Sequence, residues 1–508
     1  MTFDVERPAD VFDREQEWWA LSRFATSDSP GATLGFVSGR RRQGKTVLLQ
    51  ALCEATGGFY YEALQAEPAE SLRHLGAALA RYQQRPGRLA LDDWDEALEV
   101  LLGLSDDEPA PVVIDEFPYL VESAPDLPSR LQAMLGPRTR SRVASRARLV
   151  LCGSALAMMG RLLTADAPLR GRSSLLLTVD SFNFRTAAAF WGIEDPELAF
   201  RVYSVLGGTP AYAREFVDHD LPTSSVEFDD WVARAVLAPT SPLLHEGDSL
   251  LVAEPSIEAR NPAVYHSVLG SLVAGRTRHG EIAAYLGHRN SDLGPVLSVL
   301  EEAGFVTRDD DVVRRRRPAY RIADPYLRFH YAVARPRRDR LRRPDGARQV
   351  WRDQQETYRA QVLGPTFEEM ARTWVRHFAA PERLGGEVSE VGRTVVNDRS
   401  ARRSYEVDVV AIGPAADNGR RELRVLGEAK VGQRLGHSAL GKLGRVRELL
   451  TEQFDTTRTR LAVLRRGLRG RAAAARRPDR SRPALHRRTM TAAHAGGDRT
   501  RSLPSMHG

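Results

Sequence analysis

The chain has 508 residues and a formal net charge of +7, with 42% hydrophobic and 27% charged residues. This length is typical of two to four domains, and the composition excludes collagen-like and wholly disordered proteins. Residues 1–10 include three acidic residues, and no apolar run approaches the ~18 residues of a membrane-spanning helix. We therefore expect no signal peptide and no membrane contact. Two cysteines, Cys53 and Cys152, are too few for a disulfide framework, which favours the cytoplasm.

The basic charge is unevenly distributed. Of the 73 basic side chains only three are lysines, namely Lys45, Lys430 and Lys442. Residues 465–508 carry 12 Arg and 2 Asp, a net charge of +10, whereas residues 1–464 carry −3. This tail has no apolar periodicity, so we predict that it is disordered. The composition of the tail is compatible with an aberrant reading frame and with a genuine polybasic arm that binds nucleic acid. Composition alone does not distinguish these two hypotheses.

Strand-like and helical patterns alternate in the first third of the chain. The alternation predicts an α/β domain with a parallel sheet over residues 1–185, followed by a mainly helical lid over residues 186–255. The strand-like runs are Thr33–Ser38, Pro111–Ile114 and Ala147–Cys152, and the helical patterns include Thr46–Ala55, Ser71–Gln83 and Trp94–Leu104.

A glycine-rich motif follows the first predicted strand and opens the next helix. It fits the pattern GxxxxGK[ST], in which glycines let backbone N–H groups converge on phosphate. In this pattern the lysine reaches the β- and γ-phosphates and the following hydroxyl ligates Mg²⁺. The eight residues are Gly39, Arg40, Arg41, Arg42, Gln43, Gly44, Lys45 and Thr46.

Two carboxylates end the strand-like run at Pro111–Ile114. At that position Asp115 is suited to hold Mg²⁺ through water, and Glu116 to polarise an attacking water molecule. Combined with the glycine-rich motif upstream, the pair predicts that this domain binds ATP or GTP with Mg²⁺. The chemistry expected is nucleotide hydrolysis.

Three further features suit a nucleotide site. Ser154 follows the next strand, where it would sense the γ-phosphate and the attacking water, although a serine there also suits a helix N-cap. Arg172, in the segment Arg170–Arg172, is a candidate arginine finger acting within the chain or across an oligomer, or else part of an exposed basic loop. The turn at 207–212 is a candidate for closing over the nucleotide.

These motifs together resemble the archaeal-type ATPase family, a group of AAA-related P-loop proteins that usually carry a further C-terminal domain. The resemblance covers most of residues 10–464 and implies an ATP-binding fold. It implies the usual roles for Lys45, Thr46, Asp115 and Glu116. The segments that carry it are Phe12–Glu15, Gly39–Thr46, Ile114–Phe117, Gly153–Ser154, Pro168–Arg172 and Gly207–Pro210.

Residues 256–335 predict a winged helix-turn-helix. Helical patterns at Ala263–Ala274, Gly280–Leu286 and Ser291–Ala303 precede a hairpin around Asp309–Arg317. The third helix would be the recognition helix, and Arg314–Arg317 would lie on the wing, where guanidinium groups suit phosphate contacts. Acidic residues on the recognition helix leave a protein-binding winged helix as the alternative. The Arg/Pro-rich stretch 335–348 predicts a linker or a solvated crossover.

Residues 350–464 resemble the restriction-endonuclease-like α/β fold. A helix carrying Glu368 precedes strands with Asp408 and with the E-x-K sequence Glu428-Ala429-Lys430. In such nucleases Asp408 and Glu428 would bind Mg²⁺, Lys430 would activate water, and Glu368 would add a carboxylate. The retained lysine in an arginine-rich chain suggests a role that guanidinium does not fill. A degenerate fold that only binds partners is the alternative.

The sequence therefore predicts a cytoplasmic three-module protein that binds ATP and hydrolyses it with Mg²⁺. We expect its nucleotide state to regulate contact with DNA through the winged helix and the nuclease-like domain. The competing hypothesis is a signalling or scaffold ATPase in which these modules bind protein partners or mediate self-association.

Overall fold

The computed structural model describes residues 5–164, 167–258, 261–314, 318–416, 419–432 and 437–466. The described residues divide into two compact units, the first from residues 1–308 and 320–358 and the second from 309–319 and 359–508. Within the described ranges, no helix is both long and apolar enough to cross a membrane.

The first unit contains a five-stranded parallel sheet, which confirms the predicted α/β architecture of this region. The strand order is β2-β3-β4-β1-β5, so β1 lies between β4 and β5. The central strands are buried on both faces, as their continuous apolar runs require. The strands are β1 Thr33–Ser38, β2 Phe59–Glu62, β3 Ala110–Asp115, β4 Ala147–Gly153 and β5 Ser173–Thr178.

Eight helices accompany this sheet among the described residues. All of them except α7 bury apolar side chains, and the resulting core includes Leu49, Leu79 and Leu98. The helices are α1 Glu15–Ala25, α2 Lys45–Thr56, α3 Pro68–Tyr82, α4 Trp94–Leu102, α5 Phe117–Ser123, α6 Leu127–Met134, α7 Arg140–Ala144 and α8 Leu156–Arg161.

Among the described residues, the rest of the first unit is mainly helical and has one pair of short strands. The predicted lid region holds α9 Phe184–Trp191, α10 Pro196–Leu206, α11 Phe228–Trp231, α12 Pro242–Val252 and α13 Pro255–Glu258, with π-helical turns Tyr212–Phe216 and Val232–Val236. Then come α14 Pro262–Val273, α15 His279–Leu286, α16 Asn290–Glu302, and the two-stranded sheet of β6 Val306–Asp309 and β7 Ala319–Ile322. We refer to α14–α16 with β6 and β7 as the helix–hairpin module.

The Arg/Pro-rich stretch 335–348, predicted as a linker or solvated crossover, is mainly helical. Arg335 and Arg338 both pair with Asp248 of α12, and the following Val350 and Trp351 are buried. Charge pairing and burial thus hold in place a segment whose composition alone predicts a solvated chain. The elements are α17 Pro325–Phe329, the π-helical turn His330–Ala334, the 3₁₀ turn Arg335–Arg337, α18 Arg338–Leu341, α19 Gly346–Asp353 and α20 Gln355–Thr357.

The second unit contains a four-stranded sheet of order β11-β10-β9-β8. The β8–β9 and β9–β10 pairs are antiparallel, and β11 runs parallel to β10. The strands are β8 Glu390–Asp398, β9 Arg403–Ala415, β10 Arg421–Val431 and β11 Arg460–Arg466. The helical elements are the π-helical turn Tyr358–Leu363, α21 Gly364–His377, α22 Pro381–Leu384 and α23 His437–Leu450.

The segment predicted as the tip of a wing belongs to the second unit. Asp311 accepts hydrogen bonds from Thr394 Oγ1 (2.7 Å) and from the backbone N–H of Val395 (3.1 Å). Val312 is buried in the core formed by β8, β9 and α23. Of the predicted phosphate-binding run Arg314–Arg317, residues 315–317 lie outside the described residues, as does the predicted tail beyond residue 466.

Candidate functional site

The glycine-rich loop lies between β1 and α2, with Lys45 as the first residue of the helix. Gly44 has φ 91° and Gly39 has φ 155°, and a Cβ atom at Gly39 would lie 2.3 Å from the Val179 carbonyl oxygen. Lys45 is buried, and its Nζ donates to the carbonyl oxygens of Gly39 (2.7 Å) and Arg40 (3.0 Å). The ammonium group is therefore held inside the loop at the N-terminus of α2, where backbone amides favour anions.

Asp115 ends β3 close to this loop, because the carboxyl ends of all strands in a parallel sheet lie at one edge and only β4 separates β3 from β1. It is 1% exposed, and its Oδ2 accepts hydrogen bonds from Thr46 Oγ1 (2.8 Å) and from the Tyr60 hydroxyl (2.9 Å). A hydroxyl and a carboxylate so close offer the oxygen ligands that Mg²⁺ prefers. The donor set fits a magnesium ion.

Tyr60 is a site residue that the sequence pattern did not reveal. It lies on β2, whose register sets it beside Val113 of β3 and its hydroxyl near Asp115. Burial and the neighbouring Asp115 carboxylate raise the pKa of Tyr60, so its hydroxyl remains a donor at neutral pH. A tyrosine in a short apolar strand carries no motif, and only the strand pairing brings it here.

Glu116 and Ser154 are brought together by hydrogen bonds. The Ser154 hydroxyl donates to Glu116 Oε1 at 2.8 Å, and the Ser154 backbone N–H donates to Oε2 at 3.3 Å. Glu116 has φ 50° and lines the cavity beside the loop, whereas Ser154 is buried behind it. Ser154 thus contacts the Glu116 carboxylate that the sequence assigns to the attacking water.

The three consecutive arginines of the loop contact three different elements. Arg40 Nη1 lies 3.1 Å from Asp324 Oδ2, directly before α17. Arg41 Nη2 donates to the Tyr119 hydroxyl at 2.8 Å, and Arg42 Nε lies 3.1 Å from Glu246 Oε1 of α12. The GxxxxGK[ST] pattern allows any residue at these three positions, so the sequence does not indicate which residues the arginines contact.

A cavity of about 660 Å³ lies beside the loop. One wall consists of Phe12, Phe182 and Phe190, whose ring centroids are 5.3–6.0 Å apart. Arg14, from the same N-terminal motif as Phe12, donates to the carbonyl oxygens of Gln43 (3.1 Å) and Asp180 (2.6 Å). The motif at residues 12–15 therefore has a local role, because it joins the loop to the chain that follows β5.

The predicted turn at 207–212 reaches the cavity, whereas the candidate arginine finger does not. Pro210 lines the cavity, and Gly208 packs so tightly that a Cβ atom there would lie 1.8 Å from the Phe182 carbonyl oxygen. Arg172 Nη1 instead donates to the Leu135 carbonyl oxygen at 3.1 Å, and Arg170 is exposed. Neither arginine is among the residues that line this cavity.

In the second unit, three of the predicted nuclease-like residues converge on the ammonium group of the fourth, Lys430. Lys430 Nζ lies 2.9 Å from Asp408 Oδ2, 3.7 Å from Glu368 Oε1 and 3.9 Å from Glu428 Oε2. Burial and the nearby Asp408 raise the pKa of Glu368 to about 7. Burial alone would lower the pKa of Lys430, but the surrounding carboxylates outweigh it and the pKa is raised.

Lys442, from α23, completes this cluster and was not foreseen. Its Nζ forms an ion pair with Glu428 Oε1. Arg372 of α21 supports the cluster by donating to the Asp408 carbonyl oxygen at 2.9 Å. Among the described residues, no group of three or more His, Cys, Asp or Glu side chains is arranged to hold a metal ion by itself. A pair such as Asp408 and Glu428 with bound waters remains a suitable magnesium ligand set.

Comparison with known proteins shows that the segment forming the first of these sites is similar to an ATPase domain. Residues 11–216 match the family described as an ATPase domain predominantly from Archaea. The matched segment includes the loop at 39–46, both carboxylates after β3, and Ser154. This match supports an ATP-binding P-loop ATPase.

The similarity to known proteins also extends beyond the ATPase domain. An uncharacterized protein of Methanocaldococcus jannaschii is 25% identical over 417 residues, which cover 81% of this chain and 86% of that protein. Two solved structures are similar at lower identity. A Walker-type ATPase of Pyrococcus abyssi has 19% identity and a TM-score of 0.47, covering 69% of this chain and 100% of the other. The Aeropyrum pernix ORC2 protein has 17% identity and a TM-score of 0.41, covering 69% and 97%.

Proposed function

We propose that the first unit binds ATP in the cavity beside the P-loop and hydrolyses it with Mg²⁺. The observation that carries this proposal is the contact of Thr46 with Asp115 at the end of the loop that holds Lys45. Lys45 and the α2 amides bind the phosphates, and Thr46 and Asp115 hold the metal ion. When bound, Mg²⁺ neutralises charge on the β- and γ-phosphate oxygens.

The remaining residues have distinct tasks in this proposal. Glu116 orients the attacking water and accepts its proton, while Ser154 fixes the position of the Glu116 carboxylate through two hydrogen bonds. The wall of Phe12, Phe182 and Phe190 contacts the base, since aromatic faces stack on nucleobases. Arg172 would complete such a site only from a neighbouring copy in an oligomer.

Nucleotide binding and turnover by matched variants test the proposal. Lys45→Ala and Thr46→Ala are expected to lose ATP binding, whereas Glu116→Gln keeps binding and loses hydrolysis. Glu54→Gln, on the exposed face of the same helix, is the matched control. Normal hydrolysis by Lys45→Ala would exclude the P-loop as the catalytic site.

We further propose that nucleotide state is transmitted from the P-loop to the helix–hairpin module. Arg40 pairs with Asp324 after β7, and its guanidinium group lies 5.1 Å from the centre of the Phe305 ring before β6. Movement of the loop on binding phosphate would therefore act on both ends of the hairpin. The three helices and hairpin suit a winged helix, and DNA is the partner that we propose for it.

One face of the proposed recognition helix, α16, packs against the ATPase domain. Val299 is buried, and Pro295 and Ser298 line a cavity of about 520 Å³ together with Met158 and Arg161 of α8. The residues Asn290, Ser291 and Asp292 at the start of the helix are exposed. In this arrangement, the N-terminal part of α16 is open to a DNA groove. Protein binding is the alternative use of the module.

Binding of duplex DNA as a function of salt separates these uses. A chain ending at Arg466 keeps β11 and lacks residues 467–508 of the basic tail. It is compared with the full chain, each with and without a non-hydrolysable ATP analogue. Salt-dependent binding by the shortened chain that responds to the nucleotide supports the DNA hypothesis. Binding that requires the tail would favour the scaffold hypothesis. The two cysteines are buried free thiols, in keeping with the cytoplasmic location that we propose.

A second candidate function, metal-dependent cleavage of nucleic acid, is favoured by the convergence of four acidic and basic residues in the second unit. Asp408 and Glu428 would hold the metal ion, and Lys430 would orient the attacking water. Cleavage of DNA with Mg²⁺ or Mn²⁺ is measured for the wild type, Asp408→Ala and Lys430→Ala. Equal results for all three would favour the inactive, partner-binding form of this fold.

A further inference from the structure

Lys442 is placed on α23 so that its ammonium group meets the carboxylate of Glu428. The two side chains form an ion pair, with Glu428 5% exposed and Lys442 27% exposed. The partner comes from a different element, because Glu428 lies on β10. Burial raises the pKa of Glu428, and the Lys442 charge opposes that effect.

The choice of lysine at this position is informative in a chain with so few lysines. Of its 73 basic residues only three are lysines, and two of those three, Lys430 and Lys442, lie in this one cluster. An ammonium group is a compact point charge on a flexible side chain, whereas a guanidinium group binds carboxylates through bidentate hydrogen bonds in a fixed geometry. A lysine therefore leaves a carboxylate more readily when another small cation arrives.

The charge balance of the cluster points the same way. Each of the two proposed metal ligands has a different nearest ammonium group, Lys430 for Asp408 and Lys442 for Glu428. Lys430 also lies within 4 Å of Glu368 and Glu428, so it has several anionic partners. Among the described residues, Lys442 forms an ion pair with Glu428 alone. It is therefore the cation that is more easily exchanged.

We propose that Lys442 is the exchangeable counter-cation of the second site. In this proposal, which rests on the proposed nuclease-like function, a divalent cation displaces the Lys442 ammonium group from Glu428. The released side chain then binds a non-bridging phosphate oxygen of a nucleic-acid backbone. Lys442 acts as a positioning residue that exchanges a carboxylate for a phosphate, and no bond is made or broken in the exchange.

Manganese binding to the full-length protein, measured by electron paramagnetic resonance without any nucleic acid, tests the exchange directly. Lys442→Met removes the competing charge at similar size and is expected to tighten Mn²⁺ binding about tenfold, the effect of losing a modest ion pair. Lys442→Arg keeps a cation on Glu428 and is expected to bind Mn²⁺ no more tightly than the wild type. Arg447→Met, on the same helix, controls for the loss of one positive charge.

Binding of a short DNA duplex in Ca²⁺ provides the second measurement. Lys442→Met is expected to bind the duplex more weakly than the wild type, although it binds Mn²⁺ more tightly. Suppose that Asp408→Asn abolishes Mn²⁺ binding whereas Lys442→Met leaves the Mn²⁺ affinity of the wild type unchanged. This result would overturn the exchange but not the metal site. If neither the wild type nor Lys442→Met binds Mn²⁺, the proposed metal site fails and the exchange fails with it.

Discussion

Arg40 and Asp324 form an ion pair across 284 positions of the chain, with their side chains only 13% and 8% exposed. Asp324 also accepts a hydrogen bond from the Tyr326 backbone N–H (2.8 Å), which caps α17. The pair therefore ties the P-loop to the start of a helix. Removing either partner leaves a largely buried charge without compensation, which is strongly destabilising.

We accordingly expect Arg40→Ala to lower the free energy of unfolding of the first unit by about 3 kcal/mol. Urea denaturation followed by tryptophan fluorescence measures this change. The double variant Arg40→Ala/Asp324→Ala should be less destabilised than the sum of the single variants, because the two residues interact. Arg348→Ala, which removes an exposed pair with Asp230, is the control and should change little. Additive effects would contradict the coupling.

Ser154 is expected to affect the rate of hydrolysis rather than the affinity for ATP. Its hydroxyl donates to the Glu116 carboxylate but does not line the cavity. Ser154→Ala should lower kcat with little change in the dissociation constant of ATP. Glu116→Gln should lower kcat by about 10²-fold or more. Steady-state hydrolysis and equilibrium binding of a fluorescent ATP analogue separate the two. An affinity loss equal to the rate loss would place Ser154 in binding instead.

Tyr60 is expected to set the affinity for magnesium. Its hydroxyl is one of two donors to Asp115 Oδ2, and without it the carboxylate is less firmly oriented toward the ion. Tyr60→Phe should raise the Mg²⁺ concentration for half-maximal hydrolysis several-fold, with an unchanged affinity for ATP in the absence of metal. Tyr61→Phe, one residue along the same strand, is the matched control, since the Tyr61 side chain is buried among apolar residues. An equal effect of both substitutions would indicate general loosening of β2.

The first site shows what local patterns in a sequence do and do not contain. Strand β1 and the loop after it are predictable because apolar runs, glycines and the lysine are contiguous in the chain. The positions of Asp115 and Ser154 follow from one rule, since carboxyl ends of parallel strands share an edge. Tyr60 and the partners of Arg40 depend on pairings between distant segments, and no local pattern encodes them.

The second unit illustrates the same limit. Asp408, Glu428 and Lys430 could be selected from strand patterns and the E-x-K spacing, and the structure brings them together with Glu368. No sequence pattern assigns Lys442 to this site, because the residues before the helix that carries it have no distinctive composition. The sequence predicts the segment 309–317 as part of a wing because hairpin patterns are local. Its place in the second unit depends on Asp311 and Val312 contacts with β8 and the core.

Phe12 is expected to contribute to nucleotide affinity. Its ring forms part of the aromatic wall and is 37% exposed, so it is available to a ligand in the cavity. Phe12→Ala should weaken ATP binding by roughly 1–3 kcal/mol, the cost of losing one base–aromatic contact. Tyr285→Ala, another exposed aromatic residue on α15, controls for general effects. Isothermal titration calorimetry with ATP and with inorganic triphosphate distinguishes base contacts, because only ATP binding should weaken.

Glu246 is expected to make the stability of the first unit depend on pH. Burial raises its pKa from 4.5 to about 7, although the Arg42 guanidinium 3.1 Å away opposes the rise. Between pH 4.5 and 7 the folded protein therefore keeps a proton that the unfolded chain has released. The contribution of this group to stability is fully present below pH 4.5 and is lost as the pH rises through about 7.

Glu246→Gln removes this titration, since a glutamine side chain does not ionise. We subtract the unfolding free energy of Glu246→Gln from that of the wild type. This difference should fall as the pH rises from 4.5 to about 7, and level off above that. Urea denaturation at several pH values measures the difference, in which groups common to both proteins, such as Glu368, cancel. Glu99→Gln, exposed on α4, is the control for removing one carboxylate. A difference that rises with pH would show that the Arg42 pair, rather than burial, dominates the environment of Glu246.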